Sequence, residues 1–366
     1  MNRLFIIGNG FDLAHGLKTS YRDFLLWYLK SCFEKLKFEK DYEDDLISVK
    51  RKRQYENHNM DRALNLNAFE DIPDLLNIFY EGDTIWDLKI PSPFIKMVFN
   101  NSNSNWVNIE NTYYRFLKMI LKKNESSDNY RALKNLNNDL DSLRKKFIDY
   151  LKETCEGYNF NIDQSPFNRI LSKINPYEKD IADVEDGVTD VKKESSTMFV
   201  NFNYTTLVEK YFDKLYTREG KFSLIQIHGS IRKPESIVFG FGDEIDDVYH
   251  EMERKNNNEF FKHIKSFKYF QDENYQKLMA FIDGSEPFEV IVLGHSLGLS
   301  DRTMLSQIFE HDNLERVQIY YYENENGNDF TEKTNEISRH FSNKGRMRLK
   351  VVPFSKSERI PQIEVD

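Results

Sequence analysis

An uninterrupted apolar run near the N-terminus constrains the fold more than any other feature of the sequence. Residues 4–7 read Leu-Phe-Ile-Ile without alternation, and the run ends at Gly8-Asn9-Gly10. A strand of this kind is buried on both faces, which is typical of a parallel sheet covered by helices. Glycines directly after the strand let the backbone approach a phosphate group closely. The opening segment therefore predicts the first strand of a Rossmann-like, nucleotide-binding α/β core.

Strand and helix patterns alternate again in the second half of the chain. We predict strands at 198–202, 223–227, 237–239, 290–293, 317–322 and 349–352, and helices at 206–215, from about 301 and at 331–341. Repeated β–α alternation indicates a mostly parallel sheet with helices on its faces. We expect the strand at 4–7 and those at 198–202, 223–227 and 290–293 to end on a shared rim, where open parallel sheets bind their ligands.

The segment between these two parts has a different character. From residue 31 to 196, charged helical patterns alternate with polar loops, and 178–196 reads as an acidic linker. A chain of 366 residues exceeds the roughly 100–200 of one domain. We therefore predict a core formed by 1–30 and 197–366, interrupted by a large helical insertion domain at 31–196. The first helix after the glycine turn should begin near Ser20, with Asp23 as its acidic capping partner.

The composition argues against several kinds of partner and against a membrane location. The formal net charge of −9, from 51 basic and 60 acidic residues, disfavours a duplex-DNA binder. Two cysteines are too few for a four-thiolate zinc site, and we expect no metal. No run approaches the ~20 apolar residues of a membrane span. We expect a cytoplasmic protein with no membrane partner; nucleic-acid binding in a local basic groove and an oligomeric state both stay open.

A glycine-rich cluster directly follows the first predicted strand. It consists of Gly8, Asn9, Gly10, Phe11 and Asp12. Backbone N–H groups at such a turn can hold the phosphates of a nucleotide. The third glycine of the usual dinucleotide fingerprint is replaced here by a leucine, so a plain tight turn is the alternative.

Asn203 and His228 each follow a later predicted strand. An amide at Asn203 can fix a ribose hydroxyl or a water molecule, although asparagine at such a place also caps helices. Histidine suits proton transfer near neutral pH, and a hydrogen-bonded core histidine is the alternative at His228.

Residues 294–298 read Gly-His-Ser-Leu-Gly, which matches the nucleophile elbow of α/β-hydrolases. Asp312 and His340 follow in the order that a Ser296 nucleophile requires. The chain after the motif is short for such an enzyme and the next helix begins late, so we predict that Ser296 is not a nucleophile. We expect Gly294, Ser296 and Asp301 to contact the ribose or phosphate of the ligand.

Together these motifs resemble the bacteriophage abortive-infection family AbiH. The resemblance rests on residues 4–13 with Gly16, Leu17 and Thr19, on 202–205, on His228-Gly229, on Phe239-Gly240, on 294–297 with Asp301, and on Trp106 and Glu110 of the insertion. More distantly, the same set is similar to the sirtuin-like NAD-binding fold, whose glycine spacing Gly8, Gly10 and Gly16 keep. The zinc module of sirtuins is absent, so the resemblance does not imply protein deacetylation.

The resemblance implies an anti-phage effector that binds NAD or a related nucleotide as its substrate and hydrolyses it. In that interpretation His228 is the base, and Asn203 orients the ribose or a water molecule. Two alternatives stay open. One is a non-catalytic nucleotide sensor whose insertion engages a protein partner or a phage-derived trigger; the other is a serine hydrolase that uses Ser296.

Overall fold

The computed structural model describes most of the chain. The described residues are 1–36, 39, 41–52, 71–81, 86–101, 109–124, 126–172, 195–216, 221–242, 244, 247–284 and 286–363. Trp106 and most of the expected linker at 178–196 lie outside these ranges.

The strands in the described ranges are, in chain order, β1 (Asn2–Ile7), β2 (Asp41–Glu43), β3 (Ser48–Arg51), β4 (Trp86–Lys89), β5 (Ser196–Asn201), β6 (Lys221–Gln226), β7 (Phe288–Leu293), β8 (Leu314–Tyr321), β9 (Glu323–Asn324), β10 (Gly327–Asn328) and β11 (Glu358–Arg359). The α-helices in the same ranges are α1 (Asn9–Ala14), α2 (Tyr21–Lys35), α3 (Ile72–Glu81), α4 (Pro93–Asn100), α5 (Ile109–Leu121), α6 (Ser127–Cys155), α7 (Asn168–Ser172), α8 (Leu207–Tyr216), α9 (Asp247–Arg254), α10 (Lys265–Lys268), α11 (Asn274–Ile282), α12 (Arg302–Phe309), α13 (Phe330–Ser338) and α14 (Lys344–Lys350).

The chain forms two compact units. The sheet unit contains Met1–Lys18, Cys155–Val238 and Ser266–Asp366, and the insertion unit contains Thr19–Thr154 and Phe239–Lys265. The sequence-based domain boundaries, 1–30 with 197–366 against 31–196, stay a prediction about separately folding domains.

Six strands of the sheet unit form one sheet in which every pairing is parallel. Their order is β11-β8-β7-β1-β5-β6, with β1 in the interior. Ile7 pairs with Asn201 on one side and with Leu293 on the other, and Asn201 pairs with Gln226. β1, β5, β6 and β7 therefore end at the same edge of the sheet. This confirms the predicted Rossmann-like α/β fold and the shared rim.

Helices cover both faces of the sheet and explain the apolar run in β1. Leu4 and Ile6 lie in a core cluster with side chains of α11 and α12, whereas Phe5 and Ile7 lie in a second cluster with side chains of α1 and α8. Each of these four side chains is at most 2% exposed. Burial of each side chain stabilises the fold by roughly 2 kcal/mol. Because helices cover both faces of the strand, both faces must be apolar.

The insertion unit is mainly helical but contains a small sheet that the sequence did not predict. β2, β3 and β4 pair antiparallel in that order. α2 begins as expected, because the Ser20 hydroxyl accepts a hydrogen bond from the Asp23 amide at 3.1 Å. A long apolar repeat at helical spacing, residues 133–151, lies within α6.

Asp44 closes the turn between β2 and β3. Its carboxylate accepts hydrogen bonds from the Tyr42 hydroxyl at 2.6 Å and from the amides of Leu46 and Ile47. Lys146 lies 2.9 Å from the same carboxylate. Burial acts to raise the pKa of Asp44, but these donors outweigh burial and hold the pKa below its ordinary value.

Two predicted strands are wrong. Residues 349–352 do not form a strand, because Asn343 caps α14 and the helix runs to Lys350, with Leu349 85% exposed. Only an isolated bridge joins Val351 to Val317. Residues 237–239 are buried but irregular, and Val238 donates a single backbone hydrogen bond there, to His228. The apolar residues at 237–239 fill the core without pairing in a sheet.

Candidate functional site

The rim of the sheet unit brings together most of the residues predicted for the site. β1 leads into Gly8, β7 leads into Gly294, and β6 is followed by His228 after one intervening residue. Asn203 lies two residues beyond the end of β5. Because these four strands are neighbours in register, the segments that follow them are adjacent.

Glycines allow the loops after β1 and β7 to touch. The Gly8 amide donates to Leu293 at 3.0 Å, and the Gly10 amide donates to Gly294 at 2.8 Å. A Cβ on Gly294 would lie 2.1 Å from the Phe11 nitrogen, and its φ of +69° favours glycine independently. The glycines thus have a packing role that the sequence did not reveal. Contact of Gly8, Asn9 or Gly10 with a phosphate stays a prediction.

The side chains of Phe11 and Asp12 are buried and make contacts within the protein. Phe11 is 3% exposed and packs edge-on against Phe167 at 4.8 Å between ring centroids. Asp12 is fully buried. Thr205 donates to one Asp12 oxygen at 2.7 Å and Asn203 donates to the other at 2.9 Å. Direct ligand contact by either residue stays a prediction.

The environment of Asp12 changes its acidity. Burial raises the pKa of Asp12 to about 7, and the hydrogen bonds from Thr205 and Asn203 act in the opposite direction. The carboxyl group therefore changes its charge close to neutral pH. Carboxyl groups with such values are enriched at functional sites.

His228 is held at the rim by the turn that follows it. Gly229 has a φ of +78°, and a Cβ there would lie 2.2 Å from the carbonyl oxygen of Ser236. The His228 carbonyl accepts from the Val238 amide at 2.9 Å. The ring stands edge-on to Phe202, with centroids 5.1 Å apart. The His-Gly pair therefore fixes the imidazole through a turn that only glycine forms without strain.

Asp301 lies against His228. Its Oδ1 is 3.1 Å from Nε2 of His228, and both side chains are at most 8% exposed. The contact has an ion-pair distance, but its angles are not those of a hydrogen bond. Asp301 occupies the cap position of α12 without making a side-chain capping bond. Its other oxygen, Oδ2, accepts a hydrogen bond from the Ser300 hydroxyl at 3.3 Å. Contact of Asp301 with a ribose or phosphate stays a prediction.

His295 approaches the same carboxylate from β7. Its Nε2 is 3.7 Å from Oδ2 of Asp301, and its Nδ1 accepts a hydrogen bond from the Leu297 amide at 2.9 Å. A neutral His295 therefore carries its proton on Nε2. A metal bound through Nε2 would require the proton on Nδ1 and would break this hydrogen bond. Across the described ranges, no group of three potential ligands is arranged to hold a metal ion.

The geometry does not assemble a serine-hydrolase triad. Ser296 is exposed, but Nε2 of His340 bonds to the Leu297 carbonyl oxygen at 2.7 Å. The side chain of Asp312 is 98% exposed and pairs with Arg346. The candidate acid is thus at the surface, while the candidate base is 2% exposed. The literal Gly-His-Ser-Leu-Gly match is a loop between β7 and the short 3₁₀ helix Leu299–Asp301. Contact of Gly294 or Ser296 with a ligand stays a prediction.

Sequence reasoning missed three contributors to this site. Thr205 supports Asp12, His295 flanks Asp301, and Lys333 donates to the His295 carbonyl oxygen at 3.1 Å. Thr205 and His295 stood inside motifs already quoted, so their positions were visible but their partners were not. Lys333 is 5% exposed and pairs with Asp329, and only the spacing of four residues hinted at that pair.

Glu110 lies in the insertion unit and is engaged there. Its carboxylate accepts from Lys265 at 2.9 Å and from the Gly240 amide at 3.2 Å. Lys265 is 1% exposed and Glu110 is 6% exposed. The motif residues Glu110 and Gly240 therefore meet in a buried ion pair that organises the insertion unit.

These motif residues lie within one continuous family match. The model of the family described as "Bacteriophage abortive infection AbiH" matches residues 4–323. The chain belongs to the AbiH family. Membership of this family indicates a role in bacteriophage abortive infection. None of the curated proteins matches this AbiH chain, and the more distant similarity to sirtuins stays a prediction. In the portions that the structure describes, no helix of this AbiH protein is long and apolar enough to cross a membrane.

Proposed function

We propose that this AbiH protein is an anti-phage effector that binds NAD or a related nucleotide at the rim and hydrolyses its glycosidic bond. One observation carries the proposal: the His228 imidazole and the Asp301 carboxylate meet at the carboxyl edge of a parallel sheet, where Asn203 follows the strand next to that of His228. His228 and Asp301 are 3.1 Å apart. A base with an adjacent orienting carboxylate is a recurring arrangement for proton transfer.

The proposed reaction needs little covalent help from the protein. A water molecule attacks C1′ of the nicotinamide ribose while the C1′–N bond breaks. Nicotinamide leaves with the bonding electron pair as a neutral molecule, because the ring was cationic. The proton released by the water passes to His228, and the products are ADP-ribose and nicotinamide. The protein must mainly position the water and stabilise an oxocarbenium-like centre.

Each residue has a distinct task in this scheme. Asp301 faces Nε2 of His228, so a proton on Nε2 leaves the lone pair of Nδ1 to accept the proton from water. Asn203 positions the water or a ribose hydroxyl. Gly294 and Ser296 line the loop next to His295 and are proposed to contact the ribose or phosphates. No metal is required for these steps.

The direct test incubates the purified protein with NAD and a panel of nucleotides and analyses the products. Release of nicotinamide or another free base supports the proposal. Tight binding without turnover, measured by calorimetry in the presence of phage lysate, would instead support a sensor. His250→Ala is a matched control variant, because His250 lies in the insertion unit with its side chain 59% exposed. A fluorophosphonate adduct that Ser296→Ala abolishes would favour a serine hydrolase.

A further inference from the structure

The side chain of Asn203 is fixed in one orientation by its own donors. Its Nδ2 donates to the Gly8 carbonyl oxygen at 3.1 Å and to Asp12 Oδ1 at 2.9 Å. A backbone carbonyl can only accept, so the atom facing Gly8 must be the nitrogen and not the oxygen. Both N–H bonds of the amide are therefore used.

The remaining polar atom of Asn203 is its carbonyl oxygen. Within the described part of the chain, no donor is seen for this oxygen. Asn203 is 4% exposed, and its Oδ1 is not one of the fully buried side-chain atoms that lack a partner in the described residues. The backbone amide of Asn203 is also engaged, because it donates to Asn201 at 3.1 Å.

We propose that Asp12 and Thr205 form a positioning pair that turns Asn203 so that the rim offers a hydrogen-bond acceptor. The ligand at this point must then present a donor, either a hydroxyl group such as those of ribose or a bound water molecule. Asp12 and Thr205 act through Asn203 and do not touch the ligand. The positioning of Asn203 is independent of the proposed function, whereas the identity of the ligand rests on it.

The pair keeps Asn203 in place in both charge states of Asp12. When Asp12 is ionised, its two oxygens accept from Asn203 and Thr205. When it is protonated, Oδ2 carries the proton and donates to the Thr205 hydroxyl, which rotates to accept, while Oδ1 still accepts from Asn203. Because burial raises the pKa of Asp12 to about 7, this exchange occurs near neutral pH.

Two other titratable groups interact electrostatically with Asp12. Burial and the charge of Asp12 together raise the pKa of the Cys155 thiol to about 11. Burial and Asp12 likewise raise the pKa of the Tyr158 hydroxyl. Both groups stay neutral between pH 5 and 9, so neither produces a change near pH 7 at Asn203. The Asp12→Asn variant then separates the contribution of Asp12 from that of the rim histidines His228 and His295.

Nuclear magnetic resonance of the full chain, with ¹⁵N in asparagine side chains, tests the positioning directly. The Asn203 NH₂ signals, assigned by their loss in Asn203→Asp, should resist hydrogen exchange and shift with a midpoint near pH 7. In Asp12→Asn they should persist without a midpoint. In Thr205→Val the midpoint should rise, because the Thr205 hydrogen bond lowers the pKa of Asp12. Exchange as fast as that of exposed Asn326, or signals unaffected by Asp12→Asn, would overturn the proposal.

A second arm tests the acceptor against the ligand. NAD analogues that lack one hydroxyl of the nicotinamide ribose should bind roughly 3- to 10-fold more weakly than NAD, as expected for one hydrogen bond. For the analogue that lacks the hydroxyl bound by Asn203, this loss of affinity relative to NAD should disappear in Asn203→Ala. Equal penalties in both proteins would contradict the assignment of the ligand hydroxyl. Failure of NAD to bind would refute the proposed function and leave the magnetic-resonance result to decide the positioning pair.

Discussion

Replacing Asp12 by asparagine should make the protein more stable, but only at neutral and alkaline pH. The carboxyl group has an ordinary pKa of 3.8, and burial raises it to about 7 in the fold. This difference corresponds to a loss of about 4 kcal/mol in the free energy of unfolding once the buried group ionises. Asparagine cannot ionise, and its side-chain oxygen can still accept from Asn203.

The sign follows from proton binding in the two states. Below about pH 4 both the folded and the unfolded chain hold the proton, so ionisation contributes nothing. Between about pH 4 and 7 the unfolded chain releases the proton and the folded chain keeps it, so the wild-type protein loses stability as the pH rises. Above pH 7 the loss is complete. The stability difference between Asp12→Asn and wild type should therefore grow by about 4 kcal/mol from pH 4 to pH 8.

Urea unfolding at these two pH values, followed by hydrogen exchange of the β1 amides, measures this difference within the sheet unit. Asp312→Asn is the matched control, because the Asp312 side chain is 98% exposed. Its stability difference should change by less than about 1 kcal/mol over the same range. An equally small change for Asp12→Asn would refute the assigned burial and raised pKa of Asp12.

Three further variants test other parts of the structure. Gly294→Ala should lower stability by about 3 kcal/mol, from the left-handed conformation and a clash with backbone, whereas Gly298→Ala, with no neighbour closer than 3.6 Å, should change the melting temperature little. Asp44→Asn should cost about 1 kcal/mol at pH 7, and the deficit should disappear in acid as the wild-type carboxylate takes up its proton; equal deficits at pH 7 and pH 3 in urea titrations would contradict the lowered pKa. Lys333→Met should cost about 1–3 kcal/mol by thermal unfolding, since it removes the donor to the His295 carbonyl oxygen and the ion pair with Asp329; an unchanged melting temperature would exclude that role.

The sheet and its rim could be predicted because the signals were local. A run buried on both faces identifies a central parallel strand at 4–7, and parallel strands place their ends together whatever the loops contain. The segment at 349–352 failed for a converse reason. Its apolar residues suit a strand, but the cap at Asn343 and a short helix decided the local structure instead.

The partners of the site residues could not be predicted, since they depend on distant contacts. Nothing local to Asp12 indicates that residues 191 and 193 positions later in the chain will engage its two oxygens. Asp301 was expected to contact a ligand, and its proximity to His228, 73 positions earlier in the chain, could not be predicted from the local sequence. Glycine spacing suggested phosphate contact at Gly10, whereas the structure shows a close approach to Gly294 that a sequence motif does not encode.

The central claim is that His228 performs proton transfer at a nucleotide-cleaving rim. The most direct measurement is the rate of nicotinamide release from NAD by wild type and by His228→Ala, with the melting temperature of each determined in the same buffer. We predict a variant that remains folded, with a rate lower by about 10²–10⁴-fold, as is typical when a general base is removed. A folded His228→Ala protein that releases nicotinamide at the wild-type rate would contradict the account.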